Sequence, residues 1–507
     1  MRILFVSSEG LPFSKTGGLA DVVEALPKAL VELGHQVTVV LPKYRGTKTT
    51  AIADRALSIA LGSRMRFPAV ADGGALHGVR YLFVDDPCFD REKLYGDAKG
   101  DYPDNGERFA LFSKAAIEIA RRLWPADVLH CHDWQSALAP VLLRSSYADD
   151  PLMRSVPVVF TAHNMGYHGL FPYEILGRVG LPPELFTMDL LEFYGRVNYL
   201  KGGLVFSDYV TTVSRRYALE IQTADYGHGL EGVVRKRGDR VRGILNGVDY
   251  SVWSPEADKL IKAPYSARDL SGKKACKKDL LAEFKLPAEN EARPLIGIVS
   301  RFADQKGFDL IAAVVHEMAK EDLAIVALGT GDPRYENLFR EMARAFPSKI
   351  AVRIGFDNTL AHKIEAGSDM FLMPSRYEPC GLNQIYSLRY GTVPVVRATG
   401  GLDDTIENFD PLANKGTGFK FDAYDGRALL DCVRVAVRVY NDQDAWRRLM
   451  ANGMAQDFSW TASAAEYSRL YEAAKKGRNQ SAAAASNEAR REQSPRREEP
   501  WVNLSPV

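Results

Sequence analysis

One repeated pattern restricts this chain more than any other: a short, unbroken apolar run ending in polar residues, then a segment whose apolar residues recur at helical spacing. Residues 3–6 form such a run, and a loop with Gly17 and Gly18 follows. Val22, Leu26, Leu30 and Leu33 then keep to one helical face, Gly34 marks a stop, and 37–41 is the next run. Unbroken apolar runs belong to strands covered on both faces, and helical crossovers between them imply parallel pairing. Pro27 falls inside the helical stretch and predicts a kink. The pattern returns at 127–130, 156–161 and 209–213. A second set lies at 295–300, 323–328, 350–354, 370–373 and 393–396, with Leu310, Ile311, Val314 and Met318 on a helical face among them. The fold class is therefore α/β, with two doubly wound domains that meet near 246–253. The Lys-rich stretch 257–294 reads as surface helix and loop. Thr16-Gly17-Gly18-Leu19 recurs as Thr399-Gly400-Gly401-Leu402, but glycine turns before helices are common, so the repeat carries little weight as evidence of duplication.

Composition narrows the function classes. With 507 residues, two large α/β domains are a better prior than three average ones. Hydrophobic residues at 46% and charged residues at 25% exclude a fibrous or mainly disordered chain. A net charge of +1 argues against a general grip on nucleic acid or an anionic membrane, while leaving room for a local basic pocket. Cys88, Cys131, Cys276, Cys380 and Cys432 are scattered, which fits a reducing compartment and speaks against a disulfide framework or structural zinc. No apolar run approaches the ~20 residues that span a bilayer. The first apolar stretch meets Glu9 too soon for a secretory signal. A cytoplasmic protein is expected. From about 478 the chain is rich in Ala, Ser, Arg, Glu and Pro, and a disordered tail is expected there. Before it, Tyr467, Leu470, Tyr471 and Ala474 form an apolar stripe on a last helix.

Ligands of open parallel sheets bind at the carboxyl ends of the strands, so the polar strand ends are the candidate site. Lys15-Thr16-Gly17-Gly18-Leu19-Ala20-Asp21 joins a strand to a helix; it matches neither the dinucleotide fingerprint nor the P-loop. Its glycines allow close backbone approach, its helix start favours phosphate, and Lys15 adds a mobile charge, although such turns are more often structural. His163 and Asn164 follow 158–161 and suit sugar hydroxyls, or simply packing. His130, His132 and Asp133 lack the further carboxylates or cysteines that a metal site needs, so no metal is expected. Arg301, Gln305 and Lys306 stand before Gly307, where a guanidinium fork and a point charge could face a diphosphate, or line a solvated loop. Gly329-Thr330-Gly331-Asp332 is a weaker glycine turn. Glu378, before Cys380, Gly381 and Leu382, could hold sugar hydroxyls or pair with Arg376.

Together these segments resemble the ADP-glucose-using family of bacterial glycogen synthases and plant starch synthases, over about residues 1–477. The 15–21 loop, the 301–307 loop and Glu378-Pro379-Cys380-Gly381-Leu382 carry the resemblance. Cys131-His132-Asp133-Trp134-Gln135, Thr161-Ala162-His163-Asn164, the segment 208–214 and Asn246-Gly247-Val248-Asp249 support it in order and spacing. The resemblance implies a GT-B fold, two Rossmann-like domains facing a cleft: 1–248, 249–455, a helix 456–477 returning to the first domain, and the tail 478–507. It implies transfer of glucose from ADP-glucose to the non-reducing 4-hydroxyl of an α-1,4-glucan, with retention and with no metal or cofactor. Arg301, Lys306, Glu378 and His163 would be catalytic. Lys15, Gly17, Gly18, Asp21, Tyr95, Asp133, Asn164, Asn246, Gln305, Cys380, Gly381 and Leu382 would bind substrate. Hinges would lie at 246–253 and before the last helix. Tyr386 stands where many other retaining GT-B enzymes carry a second glutamate, and Phe356 where some relatives carry tyrosine. The alternatives are a non-catalytic glucan or nucleotide-sugar binder on the same fold, and a pyridoxal-phosphate phosphorylase, whose cofactor-lysine motif is absent. The residues themselves do not choose ADP-glucose over UDP-glucose.

Overall fold

The first apolar run becomes the strand Arg2–Val6, buried from Ile3 onward, with parallel neighbours Val128–His132 and Gln36–Pro42. The computed structural model describes residues 1–97 and 99–492, with side chains to 480. Beyond Val128–His132 lie Val158–Ala162, Tyr209–Thr212 and Val241–Gly243; beyond Gln36–Pro42 lies Val79–Asp85, still parallel. Ala69–Leu76 and Ala51–Asp54 then extend the sheet antiparallel. Ala69–Leu76 gave no sequence signal because Gly73 and Gly74 interrupt its alternation, and its register shifts between Asp72 and Gly74. The helix Leu19–Glu32 carries Pro27 in its interior as one continuous element.

A second sheet is parallel throughout, in the order Ile350–Ile354, Ala324–Gly331, Leu295–Phe302, Met370–Met373, Val393–Arg397, Phe419–Phe421. Numbered along the chain, its strands run 3-2-1-4-5-6. The first six parallel strands of the larger sheet have the same order, the doubly wound dinucleotide-binding arrangement. By this topology the 15–21 loop corresponds to 303–307, since each follows the first strand of its sheet. The Thr399–Leu402 turn follows a fifth strand, so its likeness to Thr16–Leu19 is not a correspondence of position.

The stretch 257–294 is more than surface. Its helix Ser271–Glu283 packs Leu280 and Leu281 against Leu360 and Ile364. Lys273 is buried there, its Nζ donating to Ala366 O, Tyr390 O and Thr392 Oγ1. Just before it, Trp253 is sandwiched between His362 (ring centroids 3.7 Å) and Tyr386 (4.1 Å), which fixes the connection to the second sheet. The two chain crossings between the lobes run side by side. Val248 N donates to Phe458 O (2.8 Å) and Phe458 N donates to Tyr250 OH (2.9 Å).

The last helix, Trp460–Glu492, lies against the first lobe. Trp460, Ala464, Tyr467, Leu470, Tyr471 and Ala474, at helical spacing, share a core with Phe5, Leu19, Val22 and Val159. The helix runs on past 478, where the sequence suggested a disordered tail. Once nucleated by packing, an Ala-, Arg- and Glu-rich segment propagates a helix at little cost. Residues 493–507 of that expected tail lie outside the described residues.

Candidate active site

A 3-2-1-4-5-6 sheet opens a crevice between strands 1 and 4, because the connections leaving them turn in opposite directions. In the first lobe, register places Val6 beside Cys131 and His132 beside Thr161, so the loops after three neighbouring strands are adjacent. They carry Glu9 to Gly18, then Asp133, then His163 and Asn164. In the second lobe the equivalent crevice holds 303–307 and 374–382. Both sets line one cavity of about 600 Å³ between the lobes, with Gly17, Gly18, Tyr95, Asp133, His163, Asn164 and Asn246 on one side and Arg301, Gln305, Lys306, Glu378, Cys380, Gly381 and Leu382 on the other.

The second-lobe wall is two loops locked together. Gly307 sits at φ +72°, and a Cβ there would fall 2.0 Å from Pro374 O, so only glycine allows this close approach. Arg376 N donates to Gln305 O (2.8 Å), and Gln305 Nε2 donates to Tyr377 O (3.2 Å). This contact sets Lys306 Nζ 2.6 Å from Glu378 Oε2, which also accepts from Ser375 Oγ at 3.0 Å. The open question of Glu378's partner is thereby answered: Arg376 pairs with Asp309 (3.4 Å) and stacks on Tyr424. The Arg301 guanidinium makes no hydrogen bond or ion pair among the described residues, leaving its fork of donors free in the cavity. Burial pushes the Cys380 thiol up to about 12, so it is not a thiolate nucleophile at neutral pH.

The first-lobe wall departs from the expectation in one respect. The Glu9 carboxylate, 3% exposed, accepts from Thr16 N, from Thr16 Oγ1 (2.5 Å), from Gly17 N (3.2 Å) and from the Tyr95 hydroxyl (2.6 Å). The Gly17 amide expected to meet phosphate is thus already satisfied by an internal anion. Lys15 and Asp21 pair with each other at 2.6 Å and do not line the cavity. Gly17 and Gly18 do line it; a Cβ on either would meet no protein atom within 4 Å, so packing does not demand glycine and the space in front of them is clear. Asp133 adopts φ +55° and accepts from His163 N at 2.7 Å; burial, its largest influence, pushes its carboxyl up to about 7. His163 Nε2 lies 3.0 Å from His132 Nδ1, and burial pushes His163 down to about 3. His130 has both nitrogens engaged, with Thr161 Oγ1 (2.7 Å) and the Tyr471 hydroxyl (2.8 Å).

Residues 2–236 match the starch synthase catalytic domain family, and residues 282–449 match glycosyl transferases group 1. A glycogen synthase of Koribacter versatilis is 60% identical over 481 residues, covering 94% of this chain and 99% of that protein. The chain belongs to the glycogen and starch synthase family. A glycogen synthase of Anaeromyxobacter dehalogenans is 48% identical, with 93% and 99% covered. The catalytic domain of starch synthase IV from Arabidopsis thaliana, solved with ADP and acarbose, superimposes with TM-score 0.83 at 34% identity, covering 94% of this chain and 99% of that one. A sucrose-phosphate synthase from Thermosynechococcus elongatus, TM-score 0.58 at 19% identity over 93% and 98%, shares the GT-B fold.

Several lining residues of this glycogen synthase family site escaped the sequence reading. Glu9 ends the polar tail of a strand, a signal that was present but unspecific. Trp134, quoted only as part of a motif, lines both this cavity and an adjoining groove of about 720 Å³ that also holds Tyr102, Tyr167 and Phe171. Its ring is fixed edge-on by Phe109 (5.1 Å) and lies against Gly169, where a Cβ would come within 2.5 Å of it. Tyr377 of the second lobe lies beside Asn164 of the first: its hydroxyl and Asn164 Oδ1 both come within 4 Å of where a Cβ on Gly166 would stand. A reciprocal contact ties the lobes together. Glu220, 6% exposed, accepts from Gly400 N (3.1 Å) and Thr399 Oγ1 (3.3 Å), while Asp404 accepts from Arg216 N (3.0 Å). Gly401 N in turn donates to Glu378 O at 3.1 Å, so this clasp leads directly to the Glu378 loop. Phe356 lies outside the cavity lining and is 92% exposed.

Proposed function

We propose that the chain transfers glucose from ADP-glucose to the non-reducing 4-hydroxyl of an α-1,4-glucan, retaining the anomeric configuration. The observation that carries this reading is the placement of an unpaired guanidinium, Arg301, beside Lys306 in the same cavity as His163 and Asn164. Breaking the bond between C1 and the distal phosphate oxygen sends the electron pair to a leaving group that is already anionic. Preorganised donors aimed at that charge in a dry site are worth ~3–4 kcal/mol each, or roughly 10²–10³ in rate. Arg301 offers its free donors, and Lys306 shares its charge between Glu378 and the phosphate. The clear space before Gly17 and Gly18 admits the nucleotide sugar from the first lobe. Lys15 and Asp21 reach substrate only by parting from each other. Glu378, held by Lys306 and Ser375, orients the hexose by accepting from its hydroxyls; an ion-paired carboxylate is a weak nucleophile. The acceptor hydroxyl then attacks C1 on the face the diphosphate leaves, and its proton passes to the departing phosphate oxygen. Trapping a glucosyl adduct on Glu378 would overturn this front-face course.

The groove through Trp134 suits the acceptor, since aromatic rings stack on the apolar faces of hexoses and leave the hydroxyls to polar neighbours. The Arabidopsis relative, solved with ADP and acarbose, supports an adenine donor and a glucan-like acceptor. The division into 1–248, 249–455 and a returning helix belongs to the same reading, since the paired crossings at Val248 and Phe458 form a natural hinge for closure that excludes water. A cytoplasmic location is supported by five free cysteines, four of them buried. ADP release on glycogen, measured with ADP-glucose and with UDP-glucose, tests the assignment. Arg301→Ala and Lys306→Ala should each lower kcat by roughly 10²–10³. Arg301→Ala should leave thermal unfolding unchanged, whereas Lys306→Ala, which strips the buried Glu378 of its ion pair, should also lower the unfolding temperature. Near-normal turnover in both would remove the charge argument.

A further inference from the structure

We infer that His132 is a positioning residue that fixes the tautomer of His163, so that His163 presents an Nδ1–H donor to the cavity. The inference rests on the proposed sugar-side role of His163. The His132 ring is fully buried, its Nδ1 is 3.0 Å from His163 Nε2, and its own Nε2 is buried with no partner among the described residues. Two neutral imidazoles sharing one hydrogen bond have two arrangements. If His163 Nε2–H donates, His132 carries its proton on Nε2, where nothing accepts it. If His132 Nδ1–H donates, its Nε2 is a bare lone pair. A buried orphan N–H costs more and is rarer than an unmet acceptor, so the second arrangement prevails. Burial holds both rings below the ordinary histidine range, so neither gains a second proton at neutral pH. His163 then keeps its proton on Nδ1, which has no partner among the described residues and, unlike His132 Nε2, is not sealed from the cavity.

The ring of His132 packs in a three-ring cluster with Phe5 (centroids 5.2 Å, interplanar 22°) and His130 (4.1 Å), which are themselves 4.7 Å apart, and this packing resists rotation. His130 is itself held by Thr161 and by Tyr471 of the last helix. The consequence is chemical. With no lone pair facing the cavity, His163 donates to a hexose oxygen and does not act as a base toward the acceptor.

The test is long-range 15N–1H spectroscopy of the full chain labelled at histidine, with the His163 signals assigned by their loss in His163→Asn. The expected result is an Nδ1–H tautomer for His163 in the unaltered protein; an Nε2–H tautomer overturns the inference with no variant of His132 needed. His132→Phe keeps the ring stack but removes the donor. It should free His163 to populate both tautomers and lower kcat by roughly ten- to a hundredfold, the range that follows loss of a group orienting a working imidazole, with KM for the donor nearly unchanged. His132→Asn, whose amide nitrogen can stand at the Nδ1 position, should restore both the tautomer and most of the rate. An Nδ1–H signal lost in His132→Phe without any fall in kcat would leave the tautomer argument standing and overturn the role given to His163.

Discussion

Asp133 combines a left-handed backbone with a carboxyl that is largely withdrawn from water, two costs met at one residue on the cavity wall. Its folded pKa of about 7 lies above the unfolded value of ~3.9. A group raised in this way contributes stability that is complete below the unfolded pKa and is lost as pH rises through the folded one. Asp133→Asn keeps an oxygen to accept from His163 N but carries no charge. The variant should therefore unfold at a higher temperature than the parent at pH 8, by a margin that shrinks as pH falls and is small at pH 4.5. A difference in apparent Tm that is flat across this range would show that the carboxyl titrates as an exposed one. The residues that the sequence made legible are those at strand ends whose role follows from their own type and position: Arg301, Lys306, His163. Glu9 was not legible, because what it does depends on Thr16 and Tyr95 brought to it by the fold, seven and 86 residues away. The same holds for Lys15, whose charge the sequence assigned to phosphate and the structure assigns to Asp21.

Between the lobes, the helix Arg215–Glu220 and the helix Gly400–Thr405 each lend a carboxylate to the other's first turn. Glu220→Ala leaves the buried Gly400 N–H without an acceptor, a loss of about 1–3 kcal/mol. It also frees the loop whose next residue, Gly401, holds Glu378 O. The variant should lose a few degrees of thermal stability and a larger share of kcat than of donor affinity, and Glu220→Gln, which keeps one acceptor oxygen, should recover part of both. Loss of stability with kcat unchanged would separate the clasp from the Glu378 loop. At this scale the central parallel strands were readable because burial on both faces writes them as continuous apolar runs, whereas the parallel strands Val79–Asp85, Val241–Gly243 and Phe419–Phe421 were not among those expected. The antiparallel pair Ala69–Leu76 and Val79–Asp85 lies at one side of the sheet, and its glycines and bulge erase the alternation that would announce it. The last helix overran its predicted end because helix propensity decides a segment with no apolar demand of its own.

The whole molecule is closed by its own end. Trp460, Tyr467 and Tyr471 fill the face of the first sheet made by Phe5 and Val159. A chain ending after residue 480 retains the contacts described for this helix, including the Arg478 bonds to Arg154 O, and should match the parent in unfolding temperature and turnover. A chain ending after residue 459 leaves that apolar face uncovered and His130 Nδ1 without its hydroxyl partner, and should aggregate or fail to fold; full activity from it would show that the helix is an accessory. This arrangement also has a temporal side. On a ribosome adding ~5–20 residues per second, the interval between the emergence of Gly243 and that of Trp460 is on the order of ten seconds or more. For that time the first lobe stands outside the exit tunnel without the helix that covers its Phe5 and Val159 face in the folded chain, an interval in which a holding chaperone would have an apolar surface to shield.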